Sequence, residues 1–350
     1  MTQVALDARR LQDVPHTGVG RRLANLVPRL RDEVDLVLLT DATRPSLDLG
    51  CEEVPLRAVR GLTEVAWLQG SVARWLRSFD GIFHGTYNAI PFVTKTPCVV
   101  TIHDLSWEHH PEDYSRLRQQ AWRTQARWSA RHAKAVVTVS EHARDEVRAA
   151  YGVPDARLVV APPAPDPVFS PERAADAPGV VATLGIDGPY VLALDGAPRR
   201  GAEVALAAWR RLPAPRPSLL VVGSSGPAED GVVRAGPLDD AAWSAVIAGA
   251  LAFCYPTRYE GYGMPALEAA ASGTPVVCAS VGPLPEVLGS AAEWCASTSV
   301  DDIAIGLARV VSDEARAAAL SRAGLEQAQR APSWDACARA VLSAYALAAT

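Results

Sequence analysis

The chain predicts an α/β protein with two doubly wound parallel sheets. Three observations carry that expectation. Short apolar runs alternate with helical stretches along the whole length. Those runs are continuous Val, Leu and Ile rather than alternating, as in parallel strands buried on both faces. A proline-rich break, Ala161 to Pro171, divides the chain near its middle, and proline continues neither sheet nor helix.

The strand candidates of the first half are Val4–Leu6, Val34–Leu39, Gly81–Phe83, Cys98–Ile102 and Ala135–Val139. Those of the second half are Tyr190–Leu194, Ser218–Val222, Leu251–Tyr255 and Pro275–Cys278. Repeated β-then-α order implies doubly wound sheets. At 350 residues, two domains are favoured over one. The expected boundaries are residues 1–165 and 172–332, followed by a capped final helix over 333–350. In such sheets ligands sit beyond the carboxyl ends of the strands. Those ends carry Asp7, His84, His103 with Asp104, Ser140 with Glu141, Asp195, Ser224 and Thr257.

Composition narrows the function. The chain is 49% hydrophobic and 21% charged, as in ordinary globular proteins. A net charge of −5 gives no bulk electrostatic case for nucleic acid. Lys95 and Lys134 are its two lysines, so arginine supplies nearly all the basic charge. The six cysteines fall in no CxxC spacing and read as free thiols of a reducing compartment. MTQVALDARR does not read as a signal peptide, and no apolar run approaches membrane-spanning length. The expected location is cytoplasmic, with peripheral contact at the membrane face left open.

The most telling segment is EGYGMPALE, Glu260 to Glu268. It reads as strand, glycine turn, helix. Pro265 suits a helix start and Gly273 a left-handed helix end. Free N–H groups at a helix start can hold an anion. Two carboxylates beside such a site suit hydroxyls, as on sugars. TGVGR, residues 17–21, forms a second glycine turn at a helix start, and reads either as an anion site or as a plain βα turn.

His103 reads as a ligand-facing residue oriented by Asp104, or as a structural strand-end histidine. Glu108, His109 and His110 match no H-E-x-x-H pattern and read as a loop. Arg199 and Arg200 open a helix at a strand end, and suit a diphosphate or a solvated helix start. A basic helix over Ser115–Lys134 and another over Thr63–Ser78 interleave arginine with tryptophan. They suit an anionic surface, or a solvated face backed by core tryptophans.

ALDAR, TGVGR, VVTIHDLSWEHHPE, AVVTVSEHARDEV, YEGYGMPALEAAASGTPVV and GPLPEVLGSAAEW, in that order, resemble the retaining GT-B glycosyltransferases of family GT4, especially its bacterial mannosyltransferase-like members. The resemblance spans nearly the whole chain. It implies an interdomain cleft, an N-terminal acceptor domain and a C-terminal nucleotide-sugar domain, with the final helix over 333–350 returning to the first domain. Glu260 would contact the donor sugar, His103 would lie beside it, and Glu268 would accept from the ribose. The amides around Gly263 and Met264 would hold the distal phosphate, and Gly261 and Tyr262 would belong to the same donor-binding turn. Gly18 and Gly20 would close over the diphosphate, Arg199 and Arg200 would neutralise it, and Gly236 would lie near the base.

GDP-mannose is the first expected donor and a UDP-sugar the second. The acceptor would be a glycan, a lipid-linked species or a small molecule. No cofactor and no metal are implied. Two departures stand out: Arg200 replaces the family's lysine in a short loop, and about 14 residues, Gly223 to Gly236, replace a helix-bearing connection. They keep open an inactive GT-B scaffold. A nucleotide-sugar epimerase is a further alternative on this fold.

Overall fold

The computed structural model describes residues 2–13, 17–57, 66–224, 226 and 229–350. The chain forms two compact units, Met1–Ala164 with Pro332–Thr350, and Pro165–Ala331.

In the first unit the strands are β1 (Gln3–Asp7), β2 (Asp35–Asp41), β3 (Glu52–Leu56), β4 (Ile82–Gly85), β5 (Cys98–Ile102), β6 (Ala135–Thr138) and β7 (Leu158–Val160). They form one sheet in the order β3-β2-β1-β4-β5-β6-β7. In the second unit they are β8 (Tyr190–Leu194), β9 (Ser218–Val222), β10 (Val232–Ala235), β11 (Ala252–Cys254), β12 (Val276–Ala279) and β13 (Ala292–Cys295). Their order is β10-β9-β8-β11-β12-β13. The paired strands run parallel throughout. Both sheets therefore reverse strand order between their first and fourth strands, which makes each a Rossmann-like doubly wound sheet. The fold class expected from the apolar runs is the one observed.

Four strands were not expected: β3, β7, β10 and β13. Each lies at a sheet edge. An edge strand needs a continuous apolar run less, and Glu52, Arg234 and Glu293 interrupt three of these. The helix expected over 63–78 is irregular where described: a π-helical turn over Trp67–Val72, an α turn and a 3-10 turn. Residues 63–65 lie outside the described residues.

Helices cover both faces of each sheet. On one face of the first sheet Val4, Leu6, Leu38 and Val99 pack with Leu23, Leu26 and Leu30 of the helix Gly18–Leu30. The final helix, Trp334–Ala349, adds Cys337, Val341, Ala344 and Tyr345 to the same core. Its start is capped by Ser333, whose hydroxyl accepts from the Ala336 amide at 3.1 Å. In the second unit Val191, Ala193, Leu219 and Val221 pack with Ala205, Leu206, Trp209, Ile303 and Leu307.

His84, expected on the polar rim, lies instead inside the core of the first unit at 1% exposure. Its position in β4 alternates with Phe83 and so faces the final helix. Nδ1 meets the Tyr345 hydroxyl and Nε2 the Thr101 hydroxyl, both at 2.8 Å. Burial pushes its pKa down to about 3, with the Arg22 guanidinium and then His103 acting in the same direction. The folded value lies below the unfolded one, so unfolded chains bind the extra proton and folding is favoured at higher pH. The contribution of His84 to stability is accordingly full above about pH 6.5 and is lost as pH falls below it towards the folded value. In urea titrations the loss between about pH 6.5 and 5, above the carboxylate range, should be shallower in His84→Gln than in the wild type. An unchanged slope would place the titrating group elsewhere.

Candidate functional site

In the second unit the strand order reverses between β8 and β11, so the loops leaving those two strands flank one crevice. The β8 exit runs from Asp195 through a 3-10 turn, Pro198–Arg200, into the helix Ala202–Arg210. Gly201 joins them at φ +74°, and a Cβ there would lie 2.4 Å from the Pro256 carbonyl oxygen. Glycine is what lets this loop lie against the β11 exit. The loop is then tied down: the Arg199 carbonyl accepts from the Arg258 amide at 2.8 Å and from Thr257 Oγ1 at 3.2 Å. One guanidinium nitrogen of Arg200 donates to the Asp195 carbonyl at 2.8 Å.

The β11 exit carries Glu260. Its Oε1 accepts from the Tyr255 hydroxyl, and Thr257 Oγ1 lies 3.4 Å away. Burial is the main cause that raises the Tyr255 hydroxyl pKa well above its ordinary value; the Glu260 charge adds to this, and Arg200 and Arg199 oppose it. Glu260, Arg199 and Arg200 are thus neighbours around one buried phenol. The turn closes at Gly263, φ +97°, which caps the helix Met264–Ala271. A Cβ at Gly263 would sit 2.5 Å from Leu284 Cδ2, so the helix start is kept bare by packing as well as by backbone angle. Gly261 and Tyr262 are buried and Met264 is half-buried. Pro265 takes the second helical position, not the first.

Glu268 lies deeper than its expected role suggests. It is 1% exposed, and its Oε2 accepts from Trp243 Nε1 at 3.0 Å. Gly236 follows the edge strand β10 and is exposed, with open space around it. Among the described residues of the β9–β10 connection there is no helix; Glu229 bridges to Val232 instead.

In the first unit Thr17 caps the helix Gly18–Leu30, its Oγ1 accepting from the Gly20 amide at 3.3 Å. Gly18 opens the helix, and Gly20 lies inside it with its amide committed to the cap. His103 follows β5. Its Nε2 donates to the Thr86 carbonyl at 2.8 Å, which leaves the lone pair on Nδ1. Its own amide donates to Asn88 Oδ1 at 2.9 Å. Burial lowers the imidazole pKa to about 4, with Arg22 next; the Thr86 bond and Asp104 oppose this. The ring is therefore neutral in ordinary buffers and presents an acceptor.

Asp104 does not orient it: that carboxylate accepts from the Ser106 amide at 2.9 Å and its hydroxyl at 2.6 Å. Ser106 follows Asp104 by two residues, and this local bond outcompetes a reach back to the ring. Glu108, His109 and His110 diverge rather than converge, pairing with Arg123, Glu146 and Glu112 at 3.0 Å each.

Sequence reasoning missed three residues here. Tyr255 was absorbed into an apolar strand, although a tyrosine ending a strand just before a carboxylate is a usable signal. Trp243 carries no local signal. Arg22 is 2% exposed, with Nη2 bonded to the Ala161 carbonyl at 3.3 Å, and its place beside Arg21 reads as an ordinary exposed helix position.

The family model described as Glycosyltransferase Family 4 matches residues 16–169, and that described as Glycosyl transferases group 1 matches residues 195–327. The chain is 30% identical over 296 residues to the O-antigen chain mannosyltransferase B of Escherichia coli, covering 77% of this chain and 74% of that protein. It is 28% identical over 226 residues to the MMP alpha-(1->4)-mannosyltransferase of Mycolicibacterium hassiacum, covering 62% and 54%. Among solved structures, the glycosyltransferase WaaG of lipopolysaccharide biosynthesis aligns with TM-score 0.78 at 16% identity over 96% of this chain and 98% of its own. Anabaena HepE in complex with UDP and glucose aligns with TM-score 0.76 at 16% identity over 98% of both chains. With both domain matches in order and the Escherichia coli relative matched over most of its length, the chain belongs to the GT-B glycosyltransferases, with a Glycosyltransferase Family 4 domain followed by a glycosyl transferases group 1 domain.

Proposed function

We propose that the chain transfers a hexosyl group from a nucleotide diphosphate sugar to a hydroxyl acceptor, with retention of anomeric configuration and without a metal. The observation that carries the reading is the β11 exit, where Glu260, Arg199, Arg200 and the bare helix start at Gly263 gather at one crevice. We assign donor binding to the second unit and acceptor binding to the first. GDP-mannose is the first donor, in keeping with the two mannosyltransferase relatives. A UDP-sugar is the second, in keeping with the nucleotide in the HepE complex. The acceptor class is a glycan, a lipid-linked species or a natural product, and the location is cytoplasmic.

The chemistry follows from charge. The bond from C1 to the diphosphate breaks, and a bond from C1 to the acceptor oxygen forms on the same face. The acceptor proton passes to a leaving diphosphate oxygen. Negative charge growing on that diphosphate is met by Arg199, Arg200 and the amides of Gly263 and Met264, all placed before the reaction begins. Glu260 accepts from sugar hydroxyls, and His103 offers its Nδ1 lone pair to a hydroxyl. Glu268 accepts from the ribose.

The scaffold reading has one observation in its favour: Glu268 is buried and already engaged by Trp243. Isothermal titration with GDP and with UDP decides between the two. Binding of one of them in the micromolar to millimolar range supports the transferase; a folded protein that binds neither supports the scaffold.

Two further outcomes are expected. Glu260→Ala and His103→Ala should each lower kcat about 100-fold or more, equivalent to about 3 kcal/mol in the barrier. Their loss of stability should stay near 1–2 kcal/mol, the cost of a buried hydrogen bond left unmade. An active Glu260→Ala enzyme would sink the role given to that carboxylate.

For peripheral membrane contact we assign the helix Arg116–His132. Arg116, Arg118 and Arg127 are exposed on it, as is Leu117 at 87%, while Trp122 stacks inward on Trp107. Co-sedimentation with vesicles should rise with anionic lipid and fall with salt. Binding that ignores both would count against this surface.

A further inference from the structure

The carboxylate of Glu260 sits on a turn, and a glutamate on a turn has rotamers to lose. One group fixes it. Tyr255 follows β11 and is 0% exposed, and its hydroxyl donates to Glu260 Oε1. The Thr257 hydroxyl is a weak rival: it lies 3.4 Å from the same oxygen, and at 3.2 Å from the Arg199 and Tyr259 carbonyls, with one proton to give. Burial keeps the phenol protonated, so it remains a donor.

The ring is itself immobilised. It stacks on Phe253 with centroids 5.0 Å apart and 20° between planes, and Phe253 meets Trp243 edge-on at 6.4 Å and 79°. Trp243 in turn holds Glu268 at 3.0 Å. A ladder of three aromatic rings thus runs through the core of the second unit with a glutamate hydrogen-bonded at each end.

We propose that Tyr255 is a positioning residue for sugar transfer, fixing through its hydroxyl the rotamer of the carboxylate that meets the donor sugar. The proposal rests on the role given to Glu260 above. Its contribution is preorganisation: the carboxylate is aimed before the donor arrives, so the transition state does not bear the cost of ordering it. Phenylalanine at this position keeps the stack and removes the donor alone.

The test measures nucleoside diphosphate release from GDP-mannose and from UDP-glucose, using the full chain and its Tyr255→Phe, Glu260→Gln and doubly substituted forms. Tyr255→Phe should lose about tenfold or more in kcat, as expected for a hydrogen bond to a charged group. Its Tm and its affinity for GDP or UDP, which lack the sugar, should stay close to wild type. Because Tyr255 acts through Glu260, adding Tyr255→Phe to Glu260→Gln should lower kcat less than about twofold further.

Wild-type turnover in Tyr255→Phe, with Glu260→Gln impaired, would overturn the proposal and leave the Glu260 role standing. Fully additive losses in the double variant would overturn it too, since Tyr255 would then act independently. An active Glu260→Gln enzyme, or release from neither nucleotide sugar by the wild type, would overturn the donor reading and this proposal with it.

Discussion

Parallel pairing is the constraint on which the rest depends. A parallel strand can join its neighbour only after the chain has crossed back over the sheet, so every strand of a unit ends at the same edge. In both sheets the crossings reverse direction between the first and fourth strands. At that point two loops diverge and leave a gap that no side chain of the sheet fills. In the second unit the two loops are those of Arg199–Arg200 and Glu260. Their meeting is a consequence of strand order, and Gly201 and Gly263 are the local concessions that let the backbones close in.

Strand order also sorts what a sequence reader can see. The central strands are buried on both faces and announce themselves as unbroken Val, Leu and Ile. The edge strands lack such runs: charges interrupt β3, β10 and β13, and β7 is only three residues long, so for them the hydrophobic signal fades. Motifs at strand exits were legible for the same reason in reverse: glycine beside carboxylate or arginine, directly after an apolar run, has few other uses. Side-chain partnership was not legible. Asp104 adjoins His103 in sequence, yet its carboxylate bonds Ser106 two residues on, while the ring takes the Thr86 carbonyl seventeen residues back. Trp243 lies 25 positions from Glu268, and nothing local to either residue marks the contact.

The two units treat buried polarity differently. In the first, the cation of Arg22 lies among neutral groups, His84, Tyr345 and Cys337, and donates to the Ala161 carbonyl. Its field and burial together keep both histidines uncharged. The result is an imidazole at the end of β5 that accepts rather than donates at Nδ1. In the second unit the buried Glu293 is paired with Arg309 and Arg316, whereas Glu260 and Glu268 take hydrogen bonds from aromatic donors. Tyrosine and tryptophan suit this because each brings one polar proton on a large apolar body that the core can hold in place.

That difference bears on the glutamate pair. A carboxylate at 1% exposure is tolerated when it is well hydrogen-bonded, and the Trp243 indole supplies one such bond to Glu268. Glu260 is half-buried, near enough to the surface to meet a ligand and held by a phenol from beneath. The two ends of EGYGMPALE are therefore unequal. Glu268 anchors the helix Met264–Ala271 to the helix Asp240–Ala248, which fixes the height of the helix start at Gly263. Glu260 stands in front of that start. Moving the anchor would move the amides, and moving the amides would change where a phosphate sits relative to Glu260. On this reasoning the eight-residue spacing couples a buried support to a half-buried contact through one short helix, and the aromatic ladder makes the same connection a second time on the side of the core.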